Sequence, residues 1–282
     1  MPVKPSTDTV QSQTSAQLMD GAPIREFIML AGKDGTGKSC SIVSLAWYLQ
    51  QVSPDVTVYV LDTENKFRSA MKSFGADAPT NIVYYKTDTM NQVTSVVAEV
   101  MEKHKAGDWL AVESMSRVWE RAQDLAYNAV AGISKIEYLE RKLGSALPGG
   151  GTRTKSPIPS PDDFWKIAKG AHDGAFFDLL TQSEDLNVIV TTTVAKPPKE
   201  DSKFASVDRK AVRVELGIDA NLEGAPRIPY YVETLCMLDV RAGAVTCRVL
   251  RDNLSTLDEG RVEFPVDGRK MWALRFWEQC RA

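Results

Sequence analysis

The sequence predicts an α/β fold: a mostly parallel central sheet flanked by helices, with antiparallel strands at its C-terminal end. Three observations predict it. Short apolar runs recur at residues 27–31, 56–61, 81–85 (the weakest), 109–112 and 188–192. Helical patterns at 38–51, 66–74, 90–105, 117–143 and 162–181 separate them. Strands alternating with helices require parallel pairing, with both sheet faces covered. Two later runs, 230–240 and 244–250, flank Arg241-Ala242-Gly243, the spacing of a hairpin.

A chain of 282 residues buries a sizeable core, as one α/β domain with insertions or as two domains. The reading adopted is a polar N-terminal arm at 1–22, one domain at 23–265 and a C-terminal helix at 266–282, with irregular stretches at 144–161 and 196–210 rich in Gly, Pro and charge. Trp272, Phe276 and Trp277 share one face of that last helix, as core or subunit contact. The net charge of −3 excludes a whole-surface nucleic-acid footprint and leaves only local basic clusters. Cys40, Cys236, Cys247 and Cys280 form no CxxC pair, and His104 and His172 lie far apart, which argues against structural zinc. No apolar run reaches membrane-spanning length, so a cytoplasmic protein with no membrane partner is expected.

The strongest signal is Gly32-Lys33-Asp34-Gly35-Thr36-Gly37-Lys38-Ser39, a match to GxxxxGK[ST] at every fixed position. Its glycines let the backbone curl so that successive N–H groups face an anion at a helix N-terminus. An apolar strand precedes the motif and an amphipathic helix follows, the context the mechanism needs. Lys38 is expected on the β- and γ-phosphates of ATP and Ser39 on Mg²⁺, with nucleotide contacts running on to Cys40.

A hydrolase needs an acid near the metal and another to polarise water. Two strand ends offer carboxylates at the C-terminal edge of the sheet, where open α/β folds bind ligands. One is Asp62-Thr63-Glu64 and the other Glu113-Ser114. Asp62 better matches the apolar-run-plus-Asp spelling of a metal-site strand, whereas chain order favours Glu113.

A phosphate loop, a strand ending in Asp-x-Glu and a strand ending in acid-Ser together resemble the RecA-like P-loop ATPases. The chain looks most similar to the small phage RecA-like ATPases that work beside single-strand annealing proteins, as Ser116-Arg117-Val118-Trp119-Glu120 also suggests. The resemblance implies Glu64 as the water-activating base, and Glu113 with Ser114 as the metal-site pair. It implies a γ-phosphate sensor at Thr193 and a trans-acting finger at Arg251, for which a surface ion pair is the alternative. It also implies self-association into a ring or filament, an annealing or single-strand-binding protein as partner, and the host cytoplasm if the gene is a phage's. Two positions depart from the family pattern. Glu113 stands where Asp is usual and is one methylene longer, and Thr193 stands where Gln or Arg is usual and is shorter.

Single-stranded DNA is the expected partner. Segment 196–213 carries Lys196, Lys199, Lys203, Arg209, Lys210 and Arg213 against three acids, with Phe204 placed to stack on a base. Segment 141–155 carries Arg141, Lys142, Arg153 and Lys155 and no acid. Ordinary solvated loops are the competing explanation. Three functions stay open: a DNA-stimulated ATPase in recombination, annealing or replication; a motor or loader acting on protein or duplex DNA; and a nucleotide-gated binding module with weak hydrolysis.

Overall fold

The computed structural model describes residues 25–144, 161–195, 207–225, 228–241, 244–253 and 263–266. The N-terminal arm, most of the 144–161 stretch, residues 196–206 and the C-terminal segment with its three aromatic residues lie outside them.

The strands are β1 (Phe27–Gly32), β2 (Val58–Asp62), β3 (Ile82–Lys86), β4 (Trp109–Glu113), β5 (Asn187–Ala195), β6 (Asn221–Leu222), β7 (Thr234–Arg241), β8 (Ala244–Asp252) and β9 (Glu263–Val266). They form one sheet in the order β3-β2-β4-β5-β1-β7-β8-β9, with β6 pairing antiparallel to the end of β5. β3, β2, β4, β5, β1 and β7 run parallel, and β8 and β9 close the edge antiparallel. This is the mostly parallel sheet with antiparallel C-terminal strands that the apolar runs predict.

Alternation along the buried strands feeds two core layers, because successive side chains leave opposite faces. Phe27, Met29, Leu61, Leu110, Val112, Val188 and Val190 enter one layer. Ile28, Leu30, Val58, Val60, Ala111 and Ile189 enter the other. Helices α1 (Lys38–Val52) and α2 (Phe67–Lys72) cover the second layer through Ile42, Val43, Leu45, Ala46, Phe67 and Ala70. Helices α3 (Met90–Lys103) and α4 (Met115–Ala131) cover the first through Val93, Val97, Val100, Val118, Ala122 and Ala126. α3 opens with a capping box, in which Thr89 and Gln92 satisfy each other's backbone donors. Among the described residues no helix is long and apolar enough to cross a membrane.

Several boundaries differ from the sequence reading. The single helix expected over 117–143 is two, α4 and α5 (Lys135–Gly144), because Gly132 takes a left-handed φ of 67° and ends the first. The helix expected over 162–181 is α6 (Pro161–Lys169), a π-helical stretch Gly170–Phe177 and α7 (Asp178–Gln182). The irregular stretch 196–210 gives way at Val207 to a helix, α8 (Val207–Leu216), which carries Arg209, Lys210 and Arg213. Polar spacing hid it: charged residues fill most of its first turns. The run at 230–240 is a strand only from Thr234, since Ile228–Tyr230 forms a 3₁₀ turn.

Candidate functional site

The cleft lies at the C-terminal ends of β1, β2, β4 and β5. Asp34, Gly35, Gly37, Lys38, Ser39, Cys40, Glu64, Lys66, Ser69, Ala70, Ser73, Glu113 and Thr193 line a space of about 370 Å³. The fold therefore brings the phosphate loop, both acid-bearing strand ends and the end of β5 into one place.

The loop takes its shape from two glycines. Gly37 caps α1 at φ 91°, a conformation side chains resist. Gly32 sits where a Cβ would meet Thr36 Oγ1 at 2.5 Å and the Leu238 carbonyl at 2.8 Å. Thr36 is buried and its hydroxyl donates to the Lys33 carbonyl at 2.8 Å, bracing the turn. Lys33, Asp34 and Gly35 are exposed at the rim. Lys38 is buried, and its ammonium donates to the carbonyls of Gly32 at 2.8 Å and Lys33 at 2.9 Å. Burial lowers its pKa, opposed by the charges of Glu113, Asp34 and Glu64.

Ser39 opens α1 with its hydroxyl donating to Glu113 Oε1 at 2.9 Å, and Thr191 on β5 donates to Glu113 Oε2 at 3.0 Å. Glu113 is 3% exposed. Burial pushes its carboxyl up to about 7, against the pull of the Ser39 and Thr191 hydroxyls. These oxygens suit Mg²⁺, which binds through one or two protein oxygens and completes its shell with phosphate and water. Among the described residues there is no group of three or more His, Cys, Asp or Glu that could hold a metal ion.

Glu64 stands beside this pair. Its Oε1 accepts from Ser114 Oγ at 2.9 Å, its Oε2 pairs with Lys66 Nζ at 2.7 Å, and Arg117 Nε lies at 3.9 Å. Burial alone would raise this carboxyl; hydrogen bonds from Lys66 and Ser114, with the charges of Lys66 and Arg117, outweigh it and hold it below the ordinary value. Glu64 is thus an ionised acid at the mouth, and Glu113 a buried one beneath it.

Asp62, the better match by spelling, has another task. It is fully buried and accepts from the backbone N–H groups of Glu64, Asn65 and Phe67 at 2.9, 2.8 and 3.0 Å and from the Tyr84 hydroxyl at 3.0 Å. It fixes the turn that presents Glu64 and Lys66. Thr63 ties this turn to β4, its N–H donating to the Glu113 carbonyl and its hydroxyl accepting from Ser114 N. The Glu113–Ser114 peptide between them is cis.

Thr193 lines the cleft, its N–H donating to Ser116 Oγ at 3.1 Å and its carbonyl accepting from Glu223 beside β6.

Two solved structures are similar to the chain. The flagellar accessory protein FlaH of Methanocaldococcus jannaschii is 14% identical, with 90% of this chain and 93% of that one covered, at a TM-score of 0.41. A KaiC-like protein of Pyrococcus horikoshii is 13% identical, with 89% of each chain covered, at a TM-score of 0.45. No protein-family model matches the chain, and no curated protein matches it. At these identities and scores neither neighbour lends its chemistry to this chain. Its own strand order sets the phosphate loop after β1 in a mostly parallel α/β sheet, the fold class expected from the apolar runs.

Arg251 is not in the cleft. Its strand runs antiparallel, so it ends at the opposite edge of the sheet, opposite Leu235 near the start of β7. There its guanidinium donates to the carbonyls of Pro229 and, at 2.9 Å, Val232, and lies 3.8 Å from Glu215. These contacts tie β8 to the 3₁₀ turn within the same chain. Of the residues expected on DNA, Lys196, Lys199, Lys203 and Phe204 fall outside the described residues, as does the side chain of Arg209; Lys210 is exposed on α8.

Residue spacing did not reveal Thr191, Lys66 or Arg117 as parts of the site. Thr191 is the first of three consecutive threonines that follow the aliphatic run Val188-Ile189-Val190, and nothing in that spelling distinguishes it from Thr192.

Proposed function

We propose that the chain is a Mg²⁺-dependent ATPase of the RecA-like type that works on single-stranded DNA in phage-type recombination, annealing or replication. The observation that carries the hydrolytic part is the pairing of two acids of unlike environment around one phosphate cradle. Glu113 is joined to Ser39 and Thr191 where a metal is needed, and Glu64 lines the same cleft with its carboxyl held below the ordinary value.

Lys38 would exchange its loop carbonyls for the β- and γ-phosphates, and the N–H groups of the loop would hold the β-phosphate. Ser39 and Glu113 would hold Mg²⁺, directly or through its water, and the metal supplies charge neutralisation along the phosphates. Glu64 would accept a proton from water as the water oxygen bonds to the γ-phosphorus and the bond to the ADP oxygen breaks. Ser114 keeps Glu64 oriented throughout. Thr193 would contact the γ-phosphate side of the nucleotide. A trans-acting role for Arg251 requires it to leave Pro229 and Val232.

The DNA part is supported by the basic segment 196–213, which follows β5 directly after Thr193 at the cleft. Self-association into a ring or filament, and an annealing or single-strand-binding partner, belong to the same reading. The deciding experiment is the ATPase rate with and without single-stranded DNA. Stimulation, and DNA affinity that falls with salt and on neutralising Lys203 and Arg209 together, supports the proposal. A rate indifferent to DNA, with no binding at low salt in the presence of an ATP analogue, removes the DNA part.

A further inference from the structure

Lys66 sits two residues beyond the proposed base, at the position preceding the first turn of α2. Its head group bonds Glu64 Oε2 at 2.7 Å, yet the side chain is 60% exposed while that of Glu64 is 11% exposed. It lines the same cleft as Lys38, Ser39 and Glu113. The turn beneath it is held by Asp62 through three backbone N–H groups, so the backbone is fixed and the four-carbon stem supplies the reach.

We infer that Lys66 is a cis-acting cation for the terminal phosphate of the nucleotide, and that its ion pair with Glu64 is the resting lock on the base. This rests on the proposed ATPase reading.

A half-exposed lysine–carboxylate pair is weak, and a triphosphate entering the cleft brings several negative charges against the single one on Glu64. Lys66 then turns to the phosphate, and Glu64 Oε2 loses its tightest partner. Glu64 keeps the Ser114 hydroxyl on Oε1, so the freed oxygen stays oriented and can take a water. Base activation is thereby tied to the presence of a third phosphate. Arg117, 3.9 Å from Glu64, is itself paired to Glu120 and is not among the residues that line the cleft. Lys66 is an exposed cation that lines this cleft beside the base. It is a positioning residue for Glu64 in the resting site and a phosphate contact in the loaded one.

The test is calorimetric affinity for a slowly hydrolysed ATP analogue and for ADP, with Mg²⁺, for the parent, Lys66→Met and Lys66→Arg. Lys66→Met should lose about tenfold or more in affinity for the triphosphate, the scale of one charge-assisted hydrogen bond, and keep its affinity for ADP. Lys66→Arg should recover most of the loss. Retained ADP binding shows that the variant is folded. Equal losses for both nucleotides, or no loss for either, overturn the inference while leaving the ATPase reading standing. A parent that binds neither nucleotide overturns both.

Discussion

The Ser39 hydroxyl and the Glu113 carboxylate meet at 2.9 Å, joining the first turn of α1 to the end of β4. β5 stands between β4 and β1 in the sheet, and its Thr191 holds the other carboxylate oxygen. The glutamate side chain spans this gap directly.

That environment makes a pH prediction for the metal-free protein. The Glu113 carboxyl is raised from 4.5 to about 7, so between those values the folded chain holds a proton that the unfolded chain has lost. Folding stability from this group is therefore highest at the acid end of that window and falls as pH rises through it. Glu113→Gln should gain stability over the parent at pH 8 by roughly 2–3 kcal/mol, and little near pH 5. Urea unfolding in EDTA at the two pH values checks it, and an equal difference at both would contradict the assignment.

Glu64→Gln keeps the side-chain size and the Ser114 contact but removes the base. Turnover should fall about 10²- to 10⁴-fold with ATP affinity little changed. Steady-state kinetics beside a binding titration separates the two. Loss of binding with turnover per bound nucleotide intact would assign Glu64 to binding instead.

Asp62→Ala leaves three backbone N–H groups and the Tyr84 hydroxyl without their acceptor. A loss of about 3 kcal/mol in stability is expected from buried donors left unmet, together with impaired turnover as Glu64 loses its turn. Chemical denaturation and an ATPase assay measure both. A stable variant of normal activity would remove Asp62 from the architecture of the site.

Gly32→Ala forces a Cβ to within 2.5 Å of Thr36 Oγ1 and 2.8 Å of the Leu238 carbonyl. The second contact is to sheet backbone, which cannot step aside. The variant should lose about 1–3 kcal/mol, the usual cost of overpacking, and bind nucleotide more weakly. Thermal unfolding and titration on one preparation report on it, and an unchanged melting point would show that the loop tolerates the methyl group.

Much of this was legible in the sequence where chemistry and local pattern coincide. The phosphate loop needs particular residues at fixed spacing, and buried parallel strands need continuous apolar runs, so β1, β2, β4 and β5 stood out. Asp62 shows the limit of spelling: the same carboxylate at a strand end can serve a metal or a turn, and only the three N–H groups that converge on it decide. α8 was hidden because its first turns are charged, and the break at Gly132 because a helical pattern continues on both sides. The antiparallel pairing of β8 with β7 puts Arg251 at the sheet edge away from its own chain's cradle, a placement that bears on a contact within one chain and not on one made in a neighbour. Thr191 joined the site through a tertiary contact to Glu113, and Lys66 through a local ion pair with Glu64 that depends on the shape of the turn Asp62 holds.

The most direct measurement is calorimetric titration of Mg²⁺ with a slowly hydrolysed ATP analogue into the parent and Lys38→Ala. The parent should bind one nucleotide per chain, and removal of the ammonium that now rests on Gly32 and Lys33 should weaken binding at least about tenfold. A folded parent that takes up no nucleotide, or a Lys38→Ala variant that binds as tightly as the parent, would contradict the account.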